Sequence, residues 1–150
     1  MMDYSPILIP VVALVAWSLV MFLWMLAVRL PAMQKAGITL SSAPPGARGS
    51  QLDGVVDDRV QWKSHNYNHL MEQPTLFYSI AITLALMGMG EGLNYWLAWG
   101  YVGFRVLHSI VQATVNRLVY RTPLFMLASL CLIALTVHAV IRVLHDCGLI

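Results

Sequence analysis

Long runs of uncharged apolar residues constrain the fold of this chain more than any other feature. The first run, Ile7 to Val28, contains 22 residues without a charge, and a helix needs about 20 apolar residues to cross a bilayer core. Only 11% of the 150 residues are charged and 59% are apolar or aromatic, whereas a soluble domain carries about 25% charge. The sequence therefore predicts an integral membrane protein and excludes a water-soluble monomer and a disordered chain.

Three further stretches complete a set of four predicted membrane spans. Residues 61–90 join a polar half to an apolar half and are expected to form one long helix with a kink at Pro74. A tight turn at Gly88–Gly92 and a short connection at 116–123 precede the last two spans. The predicted spans are 7–29, 61–90, 93–116 and 123–143, with a polar loop at 30–60. We therefore expect a single all-α domain, a four-helix bundle in the membrane.

The first loop contains its own local signals. A stretch rich in Pro, Gly and Ser at 41–50 is typical of irregular backbone. Asp57 or Asp58 is then expected to cap the second helix, because acidic residues favour helix N-termini.

Basic residues are concentrated in two of the three predicted loops. Loops one and three with their flanks hold seven of the nine Lys and Arg residues, whereas loop two holds Glu91 and no basic residue. Cytoplasmic loops are enriched in Lys and Arg. We therefore expect loops one and three in the cytoplasm and both termini on the opposite side. The net charge of +2 is too small to indicate a nucleic-acid partner.

Polar residues form a stripe along the third span. Arg105, His108, Gln112 and Asn116 follow a spacing of i, i+3, i+7 and i+11, which places them on one helical face. Charges inside a bilayer are costly and are usually paired. Two interpretations stay open: a hydrogen-bond network that holds helices together, or a binding site that faces a cleft.

The second span offers complementary groups. His65, His69 and Glu72 share a face at i, i+4 and i+7, and Asn68 lies one turn before Glu72. Three interpretations fit this pattern: a solvated helix end, a counter-charge for Arg105, and a metal site with His-x3-His-x2-Glu spacing. The segment is equally rich in amides, so we expect no metal.

Further arginines lie at the same predicted membrane face as Glu72. Arg29 ends the first span, and Arg117 and Arg121 occupy loop three. Arginine binds carboxylates and phosphates through a bidentate fork, but basic residues at this surface also attract anionic lipid headgroups. We expect Arg105 and Arg121 to be site residues, and Lys35 and Arg48 to be surface charges.

With these residues in place, the chain resembles the MAPEG family, the membrane-associated proteins in eicosanoid and glutathione metabolism. One matching stretch is Lys63–Pro74, with basic, His, Asn, Glu and Pro positions. The other is Arg105–Thr122, from Arg-x-x-His to the Arg-Thr pair. Val28-Arg29-Leu30 is similar to the family's arginine at the end of helix one. The resemblance covers nearly the whole chain.

The resemblance implies a homotrimer that binds glutathione between neighbouring subunits near the cytoplasmic face. A lipophilic electrophile or lipid hydroperoxide would reach the thiol from the bilayer, so the implied activity is that of a glutathione-dependent transferase or peroxidase. Arg121 and Thr122 would lie nearest the sulfur as catalytic residues. The expected glutathione-binding residues are Arg29, His65, Asn68, His69, Glu72, Arg105, His108, Gln112 and Arg117.

Three positions depart from the family pattern. Gln112 stands where eicosanoid-forming members usually have tyrosine, and Phe125 replaces a tyrosine one turn into helix four. His69 occupies the expected asparagine position, with Asn68 beside it. Two alternatives to the enzyme therefore stay open. One is a non-catalytic membrane protein with a degenerate thiol site. The other is a small channel or transporter subunit with a polar pathway, although no internal repeat supports it.

Overall fold

The protein is all-helical wherever its structure is described. A computed structural model describes residues 4–39, 45–46 and 48–149, and no strand occurs within these ranges. The helices are α1 (Leu8–Lys35), α2 (Asp58–Leu70), α3 (Pro74–Leu86), α4 (Leu93–Thr114) and α5 (Leu118–Asp146), with a 3-10 helix at Gly49–Leu52. Only three residues separate α2 from α3. These two helices together therefore take the place of the second helix in a four-helix bundle. The predicted all-α bundle is confirmed.

The structure breaks the single helix predicted over residues 61–90. Proline has no backbone N–H, and its ring clashes with the carbonyl four residues earlier in a continuous helix. Pro74 instead takes the first position of α3, where an N–H would be unpaired anyway. The Met71 N–H closes the end of α2 on the Asn68 carbonyl at 2.9 Å. The expected kink is therefore a complete interruption over residues 71–73.

The connection between the last two helices is shorter than predicted. Asn116 adopts a left-handed backbone with φ of 52°, a conformation that Asn tolerates better than most residues. This sharp turn lets α5 begin at Leu118. Arg121 and Thr122 therefore lie in the first turns of α5 rather than in the predicted connection at 116–123. That connection contracts to 115–117.

Two of the helices are long and apolar enough to cross a membrane by length and composition, α1 and α5. The most extensive helix pair is α4 with α5. Small buried residues, including Ala98, Ala128 and Ala139, let these backbones approach closely. Phe77 of α3 stacks on Tyr101 of α4 with ring centroids 4.3 Å apart. The core between α3, α4 and α5 is thus largely apolar, and its buried Asn94 of α4 contacts His138 of α5 with Oδ1 and Nδ1 2.6 Å apart.

A buried serine joins three helices near the middle of the bundle. Ser109 of α4 is fully buried, and its Oγ accepts hydrogen bonds from two side chains. Trp17 Nε1 of α1 donates at 3.0 Å and Asn66 Nδ2 of α2 donates at 2.7 Å. Because Ser109 and Asn66 are buried, this hydroxyl fixes the relative rotation of α2 and α4, and the half-buried Trp17 adds α1 to the contact.

Arg29 fastens the first loop to the bundle. Its Nη1 donates to Ser64 Oγ of α2 and its Nη2 donates to the Gly49 carbonyl, both at 2.9 Å. A Cβ at position 49 would lie 2.6 Å from Arg29 Nη2, so a larger residue there would displace the guanidinium. Within the predicted irregular stretch 41–50, residues 41–44 and 47 lie outside the described residues, and Gly49 and Ser50 begin the 3-10 helix.

Two acidic residues organise the start of α2. Asp57 caps the helix, because its Oδ1 accepts from the Arg59 N–H at 2.7 Å, and this confirms the expected N-cap. Asp53 Oδ1 accepts from Gln61 Nε2 at 2.6 Å and lies 3.1 Å from His65 Nε2. The hydrogen bond from Gln61 holds the pKa of the Asp53 carboxyl below its ordinary value of 3.8.

We predict that Ser109→Ala destabilises the bundle by about 1–3 kcal/mol, because it leaves the buried Asn66 donor and the half-buried Trp17 donor without an acceptor. Thermal unfolding in detergent measures the change. Ser79→Ala is the matched control, because the Ser79 hydroxyl is exposed and donates only to the Thr75 carbonyl of its own helix. Equal unfolding temperatures for the two variants would contradict the role assigned to Ser109.

We predict a pH-dependent stability difference between wild type and Asp53→Asn. A carboxyl whose pKa is lowered on folding stabilises the fold above its unfolded pKa, and loses that contribution as the pH falls through its folded value. The difference in unfolding free energy should therefore shrink below pH 3.8. Gln61→Ala should bring the folded-state pKa of Asp53 closer to 3.8, because it removes the main cause of the lowered pKa. The stability difference should then be lost over a narrower range of pH. A difference that is constant with pH would refute the assignment.

Candidate functional site

A buried guanidinium lies at the centre of the polar residues. Arg105 of α4 is fully buried, and its Nε donates to the Tyr101 hydroxyl at 3.2 Å. Its Nη1 lies 3.2 Å from His69 Nε2, and its Nη2 donates to Gln73 Oε1 in a very short hydrogen bond. The Phe125 ring lies 5.0 Å from the guanidinium carbon. The Arg105 guanidinium thus finds hydrogen-bond acceptors on α2, on α4 and in the break between α2 and α3.

These contacts fix the tautomer of His69. Arginine only donates hydrogen bonds, so His69 Nε2 must accept from Arg105. The proton of a neutral ring then lies on Nδ1, which is 2.8 Å from Glu72 Oε2 and donates to it. A neutral imidazole thus connects the buried cation to the carboxylate of Glu72, which is 67% exposed.

Beside this network lies a cavity of about 210 Å³, lined by His69, His108, Leu118, Arg121, Thr122 and Phe125. The ring centroids of His69 and His108 are 5.1 Å apart, and Phe125 lies 5.5 Å from His69. Arg121 and Thr122 reach the cavity because the left-handed Asn116 starts α5 early. The cavity combines a cation, a hydroxyl and two imidazoles with an apolar wall.

Two buried groups near the cavity keep unused hydrogen-bonding capacity. Arg121 Nη1 donates to Asn116 Oδ1 at 2.5 Å, but Arg121 Nε and Gln112 Oε1 have no partner among the described residues. A buried polar group without a partner costs about 1–3 kcal/mol. Arg121 lines the cavity, whereas Arg105 is hydrogen-bonded inside the bundle, so Arg121 is the arginine that a ligand in the cavity would contact.

The structure brings six of the predicted site residues into one neighbourhood. The cavity is lined by His69, His108, Arg121 and Thr122. The two ring nitrogens of His69 contact Arg105 and Glu72. Gln112 is buried one turn after His108.

Four predicted binding residues do not line the cavity within one protomer. Arg29 is engaged with Ser64 and Gly49, and His65 pairs with Asp53. Asn68 and Arg117 are exposed at the surface. Because His65 points to the loop, the His65–His69–Glu72 triad does not converge. Across the described ranges, no three His, Cys, Asp or Glu side chains form a metal-binding group.

Sequence reasoning missed Gln73 and Tyr101. Gln73 accepts from Arg105 and donates through Nε2 to Ser129 Oγ of α5 at 2.9 Å, so it joins α4 to α5 across the helix break. Gln73 is four residues after His69, and Tyr101 is four residues before Arg105. Their helical spacing therefore indicated that each shares a face with a predicted site residue.

Comparison with known proteins identifies the family. The MAPEG family model matches residues 7–141, which include the whole cavity and both sequence motifs. No curated protein and no solved structure gives a significant match. MAPEG proteins are helical bundles embedded in membranes, and they include glutathione transferases, glutathione peroxidases and non-catalytic members. From the matched span and the fold together, the chain belongs to the MAPEG family of membrane proteins.

Proposed function

We propose that this protein is a glutathione-dependent membrane transferase or peroxidase for lipophilic electrophiles or lipid hydroperoxides. One observation carries the proposal: Arg121 and Thr122 line a cavity beside two imidazoles. Headgroup anchoring does not require an arginine at the wall of such a cavity. Membership of a family that contains such enzymes supports the same activity.

The charges around the cavity suit a zwitterionic tripeptide. Glutathione carries two carboxylates and one ammonium, so its binding requires cations and at least one acid. Arg121 offers the cation, and the exposed Glu72 carboxylate, held by His69, offers a partner for the ammonium. Thr122 is exposed at the cavity mouth, so one protomer forms only part of the enclosure. Arg117 and Asn68 are also exposed. We therefore propose a homotrimer in which a neighbouring copy completes the site.

Arg121 and Thr122 would act on the sulfur. Glutathione supplies a thiol, whose thiolate is the reactive form. A free thiol has a pKa of about 8.5 and is mostly protonated at neutral pH. A nearby guanidinium favours the thiolate, and a hydroxyl donor adds a charge-assisted hydrogen bond. Each tenfold gain in thiolate corresponds to about 1.4 kcal/mol of preferential stabilisation.

The proposed location follows the charge distribution of the loops. Arg121 lies next to the connection between α4 and α5. This connection and the first loop, counted with their flanks, carry seven of the nine Lys and Arg residues. We infer that this end of the bundle faces the cytoplasm and that both termini face the opposite side. The lipophilic substrate would then come from the bilayer and the tripeptide from the cytosol.

A non-catalytic role is the second candidate, and one observation favours it. Glu72, the acid proposed to bind the tripeptide's ammonium, is already connected through His69 to the buried Arg105. Such a network also stabilises a bundle without any ligand. In that case the cavity is a remnant of the family's site.

We predict that calorimetric titration with glutathione in detergent gives a saturable binding heat at submillimolar ligand. Oxidised glutathione is the control, because its bulk should not fit a cavity formed by His69, His108 and Arg121. Absence of heat with glutathione would favour the non-catalytic role.

We predict that Arg121→Ala lowers glutathione conjugation at neutral pH about tenfold to a hundredfold, because less of the bound thiol is ionised. The pH–rate profile should move to higher pH. Arg121→Lys should recover part of the rate, because it keeps the charge but loses the guanidinium fork. Lys35→Ala is the matched control, since Lys35 is an exposed cation in the last turn of α1. Unchanged turnover in Arg121→Ala would remove this residue from the mechanism.

A further inference from the structure

A second polar cavity lies at the opposite end of the bundle from the candidate site. It has a volume of about 280 Å³ and is lined by Met89, His138, Ile141, Arg142 and His145. Arg142 and Arg121 lie on the same helix, about 31 Å apart along its axis at 1.5 Å per residue. Because a hydrocarbon core is about 30 Å thick, a membrane-spanning α5 carries the two cavities to opposite membrane faces.

The hydrogen bonds of Asn94 fix the tautomer of His138. Asn94 is buried, and its Nδ2 donates to the Met89 carbonyl at 2.8 Å. Its Oδ1 lies 2.6 Å from His138 Nδ1 and can only accept, so this ring nitrogen carries the proton. His138 Nε2 is then the nitrogen left for a ligand, and in a neutral ring it accepts a hydrogen bond. The cavity thus contains a hydrogen-bond acceptor whose orientation is set by a buried amide.

Arg142 supplies a cation whose charge is balanced by its neighbours. Its Nε donates to Asp146 Oδ2 at 2.9 Å, and this bond leaves both terminal nitrogens for a ligand. His145 Nδ1 lies 3.6 Å from Asp146 Oδ1. Glu91, in the turn before α4, is a further exposed carboxylate at this end of the bundle. The cavity therefore offers a guanidinium fork in surroundings that have no excess of positive charge.

These groups fit neither a metal ion nor a simple anion. A metal ion would be repelled by Arg142, and in the described part of the chain no three His, Cys, Asp or Glu side chains form a metal-binding group. A simple anion would meet the Arg142 fork together with the lone pair of His138 Nε2 and the carboxylate of Asp146. The C-terminal end of α5 also carries a partial negative charge. A ligand that joins an anionic group to an ammonium group matches the whole arrangement.

We propose that this cavity binds an aminoethyl phosphate group, which is the headgroup chemistry of phosphatidylethanolamine. The Arg142 fork holds the phosphate oxygens, and the ammonium donates to His138 Nε2. The cavity lies at a membrane face, so a lipid headgroup reaches it directly, and a soluble aminoethyl phosphate presents the same groups. The inference is independent of the glutathione chemistry proposed for the other cavity.

The first test measures lipid binding to the whole chain in detergent by native mass spectrometry. The lipids share dioleoyl tails and differ only in headgroup: phosphatidylethanolamine, its N,N-dimethyl form, phosphatidylcholine and phosphatidylglycerol. We expect binding to persist with the dimethyl form, which keeps one N–H. It should weaken about tenfold with phosphatidylcholine, which has no N–H to donate, and with phosphatidylglycerol, which has no ammonium. Equal affinities for the four lipids would overturn the proposal.

The second test removes the guanidinium. Arg142→Gln should lower the affinity for phosphatidylethanolamine about tenfold, because the phosphate loses its charge-assisted hydrogen bonds, and Arg142→Lys should recover part of it. Lys35→Gln is the matched control, because Lys35 is an exposed cation in the last turn of α1 and does not line the cavity. Thermal unfolding verifies that each variant is folded. Equal losses in Arg142→Gln and Lys35→Gln would show attraction to general surface charge and would overturn the site.

A third readout locates the headgroup on the protein. Diethyl pyrocarbonate modifies accessible imidazole nitrogens, and phosphatidylethanolamine should slow the modification of His138 and His145. His65 reports the reagent concentration in the same sample, because it is half exposed and pairs with Asp53 of the first loop. The protection should be absent with phosphatidylcholine and in Arg142→Gln. Protection by millimolar O-phosphoethanolamine alone would support the same site with a soluble ligand, whereas protection by neither compound would refute it.

Discussion

A positive charge buried inside a membrane bundle needs hydrogen-bond acceptors, because leaving it unpaired in a low-dielectric interior is very costly. Arg105 meets this requirement with three side chains from different segments: Tyr101, His69 and Gln73. The solution has consequences for each of them. His69 Nε2 must accept a hydrogen bond, so the ring proton is on Nδ1 and points to Glu72. Gln73 must turn inward at the helix break. The geometry of the candidate site therefore depends on how one guanidinium is satisfied.

The interruption before Pro74 makes this arrangement possible. In a continuous helix Glu72 and Gln73 would lie 100° apart on one regular surface. The turn at residues 71–73 lets Glu72 remain exposed while Gln73 reaches both Arg105 and Ser129. A helix break in a membrane is tolerated where side chains satisfy the released backbone groups. Here the Thr75 hydroxyl donates to the Glu72 carbonyl at 2.7 Å, so the break is stabilised locally.

The helices and the polar stripe could be predicted from the sequence because both follow from periodicity. Apolar runs predicted the bundle, and the spacing of Arg105 and His108 placed them together on a buried face, as the structure shows. Two features were beyond this reasoning. The early start of α5 depends on a left-handed Asn116, a local choice that periodicity does not encode. The partners of Arg29 and His65 depend on how the first loop folds back on α2, which involves contacts between distant residues.

Phe125 explains why the buried arginine and the candidate site remain separate. Its ring lies 5.0 Å from the Arg105 guanidinium carbon and 5.5 Å from the His69 centroid, so it stands between the buried cation and the cavity. A phenyl ring contacts a cation through its face without supplying a hydrogen-bond acceptor. Arg105 therefore draws its hydrogen bonds from Tyr101, His69 and Gln73. Arg121 is the arginine that lines the cavity. One aromatic side chain on α5 thus separates an arginine that is hydrogen-bonded inside the bundle from the arginine at the cavity wall.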